Sequence, residues 1–186
     1  SHILDGNDVD VFLHSWNTNN AQIEEIKTLY KPKLYSFEEQ KHFSDHTKTH
    51  SIKSRWYSHM QSVSLKREYE LLHNFRYDFV ITSRFDVCLF SDFNFEEYNP
   101  SHFYSPDFNQ TATLFNDVFF FSNSSSMDSF SSLYNHLDTY LQGGVELSTH
   151  ALSRHHAQIL GFSDKLKFIK HPRVDYQLCR RISPNI

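Results

Sequence analysis

Glycine and cysteine are both scarce, with 4 and 2 in 186 residues. Cys88 and Cys179 cannot make a disulfide framework, and Cys88, inside an apolar strand-like run, reads as a buried free thiol. No apolar run approaches the ~20 residues of a spanning helix, and no charged-then-apolar leader opens the chain. The expectation is a cytoplasmic chain without a membrane span. Asn109-Gln110-Thr111 and Asn123-Ser124-Ser125 match the glycosylation sequon, but without a leader they read as chance. A net charge of −4, with Lys and Arg scattered, gives no footprint for nucleic acid and leaves room only for a local basic pocket. Neither a repeat nor a composition shift divides the chain, so residues 1–186 read as one domain. Nothing in the pattern specifies an oligomer.

What the chain has is rings: 18 Phe, 10 Tyr and 2 Trp, so the core must be largely aromatic. Val9 to His14 reads as a strand, Ala21 to Tyr30 as a capped helix with Ile23, Ile26, Leu29 and Tyr30 inward, and Leu34 to Phe37 as a second strand. His42, His46 and His50 recur every four residues. They would line one face of a helix and bind metal, or sit on an exposed polar stretch; Thr47, Thr49 and the lack of a completing zinc ligand favour the second. Ser54 to Phe75 is the strongest helical pattern, with Trp56, Met60, Val63, Leu71, Leu72 and Phe75 among its apolar positions and Lys66 and Glu70 among its solvent ones.

Tyr77 to Phe90 follows as an apolar run typical of a strand buried on both faces, interrupted by Arg84-Phe85-Asp86. His102 to Ser105, Asp117 to Phe121 and Leu166 to Ile169 are further strands. Met127 to Leu141 and Glu146 to Leu160 are helices, the latter with Glu146, His150 and Arg154 on one face. A third histidine set, His150, His155 and His156, is a weaker metal candidate. Strands alternating with helices indicate an α/β domain with a mainly parallel sheet, whose ligands sit outside the carboxyl ends of the strands. Arg84 and Asp86 fall at such an end. They either meet a metal and phosphates or close the strand by pairing with each other.

Asp8 to Trp16, Tyr77 to Asp86, and Asn116 to Phe121 followed by Met127 together resemble a family of GT-A-type glycosyltransferases of bacteria and large viruses. The resemblance covers most of the chain and implies a GT-A, nucleotide-diphospho-sugar transferase-like three-layer sandwich. It implies a nucleotide-sugar donor, a glycan or other hydroxyl acceptor, and a divalent cation, Mn²⁺ or Mg²⁺, at an acidic motif. Where that motif is commonly Asp-x-Asp, this chain has Arg84-Phe85-Asp86, so Asp86 alone carries over. His150 is a second metal candidate, Arg84, Asp86, Ser54 and Tyr57 are donor-binding candidates, and Glu146 or Asp117 is the candidate base. The chain starts at what resembles the family's second strand. The alternative is therefore a truncated or degenerate domain that binds carbohydrate or a partner without catalysis.

Overall fold

The computed structural model describes residues 7–108, 110–111 and 115–179. Its order is β1 (Phe12–Ser15), α1 (Asn20–Tyr30), β2 (Leu34–Phe37), α2 (Thr47–His73), β3 (Val80–Ser83), β4 (Val87–Leu89), β5 (Phe103–Pro106), β6 (Phe119–Ser122), α3 (Ser124–Ser131), α4 (Leu133–Gln142), α5 (Thr149–Ile159), β7 (Leu166–Ile169) and β8 (Tyr176–Leu178). The fold is mixed α/β. β1 and β2 form a parallel pair, and the larger sheet runs β3-β6-β5-β7. In it β6 is antiparallel to both neighbours while β5 and β7 are parallel, so the sheet is mixed where a mainly parallel one is expected. β4 and β8 make a separate antiparallel ribbon.

Local chemistry sets the boundaries. Asn19 caps α1 by accepting the Gln22 N–H at 3.2 Å, and Lys31 ends it in the left-handed region, one residue before the proline that would break it. The His46 ring caps α2 by accepting the Thr49 N–H at 3.3 Å, so His42 lies outside the helix and the three-histidine face never forms. Asn123 caps α3 through the Ser126 N–H at 2.8 Å, and the helix expected over Met127 to Leu141 breaks at Ser132 into α3 and α4.

Two aromatic clusters sandwich the larger sheet. On one face Phe103, Phe115 and Phe120 pack with Trp56 of α2 and with Met127, Phe130, Leu133, Leu137 and Leu152 of the following helices. On the other, Phe93, Tyr104, Phe119, Phe121 and Tyr176 pack together, with Tyr104 stacked on Phe121 at 4.2 Å. Alternation along Phe119-Phe120-Phe121 sends successive rings to opposite faces, which is why this short strand is buried throughout.

Helix α2 corrects the expected phase. Its buried residues are Ile52, Trp56, His59, Val63, Lys66 and Glu70, an unbroken alternation of four- and three-residue steps, whereas Leu71 and Leu72 are exposed. The stripe ends in charge. Lys66 Nζ donates to Glu70 at 2.9 Å, Ser124 at 2.6 Å and Asp128 at 2.6 Å, and Glu70 also accepts from Ser124 Oγ and the Tyr77 N–H. Burial alone would raise the Glu70 carboxyl, but the Ser124, Tyr77 and Lys66 donors hold it below the ordinary carboxylate range. The inward face expected for α1 is also absent: none of its residues is buried, and Leu29 is 66% exposed.

Cys88 is not a free thiol. It is bonded to Cys179 across the β4-β8 ribbon, a cross-link spanning 91 residues. Non-reducing denaturation should therefore expose no titratable thiol, and Cys179→Ser should lower unfolding free energy by about 2–4 kcal/mol in urea titrations. Two free thiols in the unreduced protein would refute the pairing.

His156, whose Nδ1 hydrogen-bonds with the Tyr140 hydroxyl at 2.7 Å, is pushed by burial down to about 4, and burial likewise pushes His59 well below its ordinary value. A histidine kept neutral by folding contributes stability that is fully present above its unfolded value near 6.5 and is lost as pH falls from there toward 4. For His156 this amounts to up to about 3 kcal/mol. The non-titrating His156→Gln should flatten the stability profile between those pH values relative to wild type in denaturant titrations.

Candidate functional site

A cleft of about 1500 Å³ opens between β1 and β3, lined by residues of both strands, by one face of α2, by Asn116-Asp117-Val118 ahead of β6 and by Thr149-His150 at the start of α5. Its chemistry gathers at the carboxyl ends of β1 and β3, where an α/β sheet places ligands. Both strands run opposite to α2. Phe12 at the start of β1 packs on Tyr69 late in α2, whereas Trp16 beyond its end stacks on Tyr57, earlier in the helix. β3 likewise follows the end of α2, with the Tyr77 hydroxyl donating to Asp10 at 2.6 Å, and finishes where Arg84 and Asp86 act electrostatically on Arg55.

Arg55 is the central cation of this end. Its Nη2 donates to the Asp117 carbonyl at 2.8 Å, its Nε lies 3.8 Å from the Asp117 carboxylate, and that Nε has no hydrogen-bond partner. Burial pulls its pKa down, opposed by the negative charge of Asp117. Asp117 is itself buried, with His150 Nδ1 at 3.4 Å from its Oδ1 and 3.0 Å from the Phe115 carbonyl. On the opposite wall His14 hydrogen-bonds to Ser58 at 3.0 Å and to Glu38 at 2.9 Å. Burial lowers the His14 pKa despite Glu38, and Trp16 beside it has a buried, unpartnered Nε1.

The residues anticipated from sequence divide cleanly. Arg84, Asp117, His150 and Ser54 line the cleft. Asp86 does not. Its two oxygens are taken by Arg84, from Nε at 2.8 Å and Nη2 at 2.6 Å, which is the strand-closing alternative. Tyr57 turns its hydroxyl to Lys41 and Glu38 and serves as backing for Trp16. Glu146 is exposed, precedes α5 and lies outside the cleft lining, so the expected Glu146-His150-Arg154 face does not form. Arg55, His14, Trp16 and His59 were missed. Arg55 lies one residue from Ser54, in a stretch whose four-three stripe already marks Trp56 as inward.

The residues do not fit the implied divalent cation. Asp86 is held by Arg84, and among the described residues no group of three His, Cys, Asp or Glu side chains is arranged to bind a metal, including the sets His42, His46, His50 and His150, His155, His156. Among the described residues no helix is long and apolar enough to cross a membrane. No protein-family model matches the chain, and no curated protein matches it in sequence. Chelation should leave the melting temperature unchanged. Arg84→Ala, which opens a partly exposed pair, should cost no more than about 1 kcal/mol by thermal denaturation.

Proposed function

We propose that this chain is a GT-A-type domain that moves a sugar from a nucleotide-diphosphate donor to a hydroxyl acceptor, with the donor diphosphate at the carboxyl ends of β1 and β3. The observation that carries this reading is Arg55: a partly buried guanidinium lining a large cleft, with its buried Nε unpartnered and Arg84 and His150 on the same lining. Departure of a diphosphate develops negative charge, which preorganised guanidinium donors stabilise without a metal. In the transfer, the bond from the anomeric carbon to the diphosphate oxygen breaks and the acceptor oxygen bonds to that carbon. The acceptor proton passes to Asp117, whose carboxylate is held between Arg55 and His150.

The binding-only alternative draws support from the Arg84–Asp86 pairing, which occupies the acid that the resemblance would assign to a metal. The Cys88–Cys179 bridge bears on location. Disulfides persist in oxidising compartments, so it favours such a compartment over the cytoplasmic site expected from sequence.

Calorimetric titration of the polypeptide with UDP-, GDP- and CDP-sugars, with and without Mn²⁺, tests the reading. One donor should bind without requiring metal, and Arg55→Ala should weaken it about 10- to 100-fold, the usual cost of a lost charge-assisted hydrogen bond. Arg55→Lys should recover part of that loss. Failure of all donors to bind sinks the proposal, and binding without sugar transfer to any acceptor selects the non-catalytic alternative.

A further inference from the structure

A second hydrogen-bonded set lines the cleft, and the proposed sugar transfer makes no use of it. His14 in β1 hydrogen-bonds through Nδ1 to Ser58 Oγ at 3.0 Å and through Nε2 to Glu38 Oε1 at 2.9 Å. Three separate elements converge to make this chain. β1 carries His14 and α2 carries Ser58, while Glu38 directly follows β2 and is fixed there by its N–H, which donates to the Ser15 carbonyl at 3.1 Å.

The protons in the chain are ordered. Burial alone would raise the Glu38 carboxyl, but the Lys41 ammonium at 2.9 Å and the His14 ring hold it below the ordinary carboxylate range. An ionised carboxylate only accepts, so His14 Nε2 carries the N–H. Burial lowers the His14 pKa despite Glu38, which leaves the ring neutral at pH 7. Nδ1 therefore offers its lone pair, and the Ser58 hydroxyl donates to it.

A serine that donates to a neutral imidazole, itself oriented by a carboxylate, is an activated nucleophile. Ser58 is partly exposed on the cleft lining while the His14 side chain is fully buried, so a ligand meets the hydroxyl and the base stays behind it. Trp16, with its ring centre 4.7 Å from that of His14, lines the same cleft and carries a buried Nε1–H without a partner. That N–H is a donor for the charge that develops on an attacked carbonyl. Ser54, one turn before Ser58, and Ser62, one turn after it, continue the hydroxyl row along the lining, which suits a polyhydroxylated ligand.

We propose that Ser58, His14 and Glu38 form a nucleophilic centre that cleaves carboxylic esters of polyhydroxylated alcohols. Ser58 Oγ bonds to the ester carbonyl carbon as its proton passes to His14 Nδ1. The bond from that carbon to the alkoxy oxygen then breaks, and His14 returns the proton to the departing alcohol. Water repeats both steps on the acyl-serine and releases the carboxylic acid. Glu38 touches no reacting atom and is a positioning residue.

Labelling of the folded polypeptide with a fluorophosphonate, mapped by peptide mass spectrometry, and acetate release from glyceryl triacetate test this. Ser58 should label at least about 100-fold faster than Ser54 and Ser62, the low end of what a positioned base contributes. Ser58→Ala should keep the wild-type circular dichroism spectrum and lower acetate release by about 100-fold or more. Glu38 and Lys41 are the charged groups that face His14, and the Glu38 charge raises its pKa. Glu38→Gln should therefore slow labelling by about 10-fold or more and move the acid limb of its pH–rate profile to lower pH. Equal labelling of the three serines, or acetate release that survives Ser58→Ala, overturns the proposal.

Discussion

Among the described residues the β1-β2 pair and the larger sheet share no backbone hydrogen bond, and the packing of α2 holds them in one body. One end of α2 rests on β1 through Tyr69 and Phe12. Its middle meets the larger sheet and its helices through Trp56, which stacks over Phe120 at 6.2 Å and meets Phe130 edge-on at 6.0 Å. Lys66 and Glu70 then link α2 to α3 through Ser124 and Asp128 and to the start of the β3 segment through the Tyr77 N–H. Removing one member of so buried a network would strand a charge, which is far costlier than never having placed the pair there.

This dependence explains which parts of the fold were legible. Strands whose residues alternate between two apolar clusters, such as Phe119 to Ser122, announce themselves by rings and β-branched residues. The phase of α2 did not, because a reading that sorts by hydrophobicity sends Lys66 and Glu70 outward and Leu71 and Leu72 inward. The stripe was present in the spacing, carrying from Ile52 through Val63 to Lys66 and Glu70 without a break. Sequence shows that position 66 is charged. It cannot show that Asp128, 62 residues away, supplies the partner that makes burial affordable. The Cys88–Cys179 bond was illegible for the same reason: β8 has only three residues and no period, and only its pairing with β4 brings the sulfurs together.

The candidate site shows the same division. Arg84, Asp117 and His150, singled out from sequence, all line the cleft, each next to a strand or at a helix start, positions where an α/β fold presents side chains. For Asp86 the sequence left two alternatives open, because a carboxylate shortly after a strand looks the same whether it faces a ligand or a neighbouring guanidinium, and the structure shows the pairing with Arg84. The short Arg84-Phe85-Asp86 connection decides it. Asp86 must also offer its carbonyl to the Cys179 N–H at 2.7 Å, which anchors the backbone at the foot of the β4-β8 ribbon and leaves the side chain within reach of Arg84.

The polar side chains that line the cleft are of two kinds, joined and unpartnered. On the α2 and β6 side, Arg55, Asp117 and His150 are joined to one another and to backbone carbonyls, so that wall is set before any ligand arrives. Elsewhere in the cleft, the Nε1 of Trp16, just beyond β1, and both ring nitrogens of His59, on α2, are buried without hydrogen-bond partners. Unpaired buried polar groups are costly, and a fold tolerates them only where something else completes them. The joined groups at the Arg55 end are thus the preorganised part of the cleft, the arrangement that the proposed binding of a diphosphate would draw on.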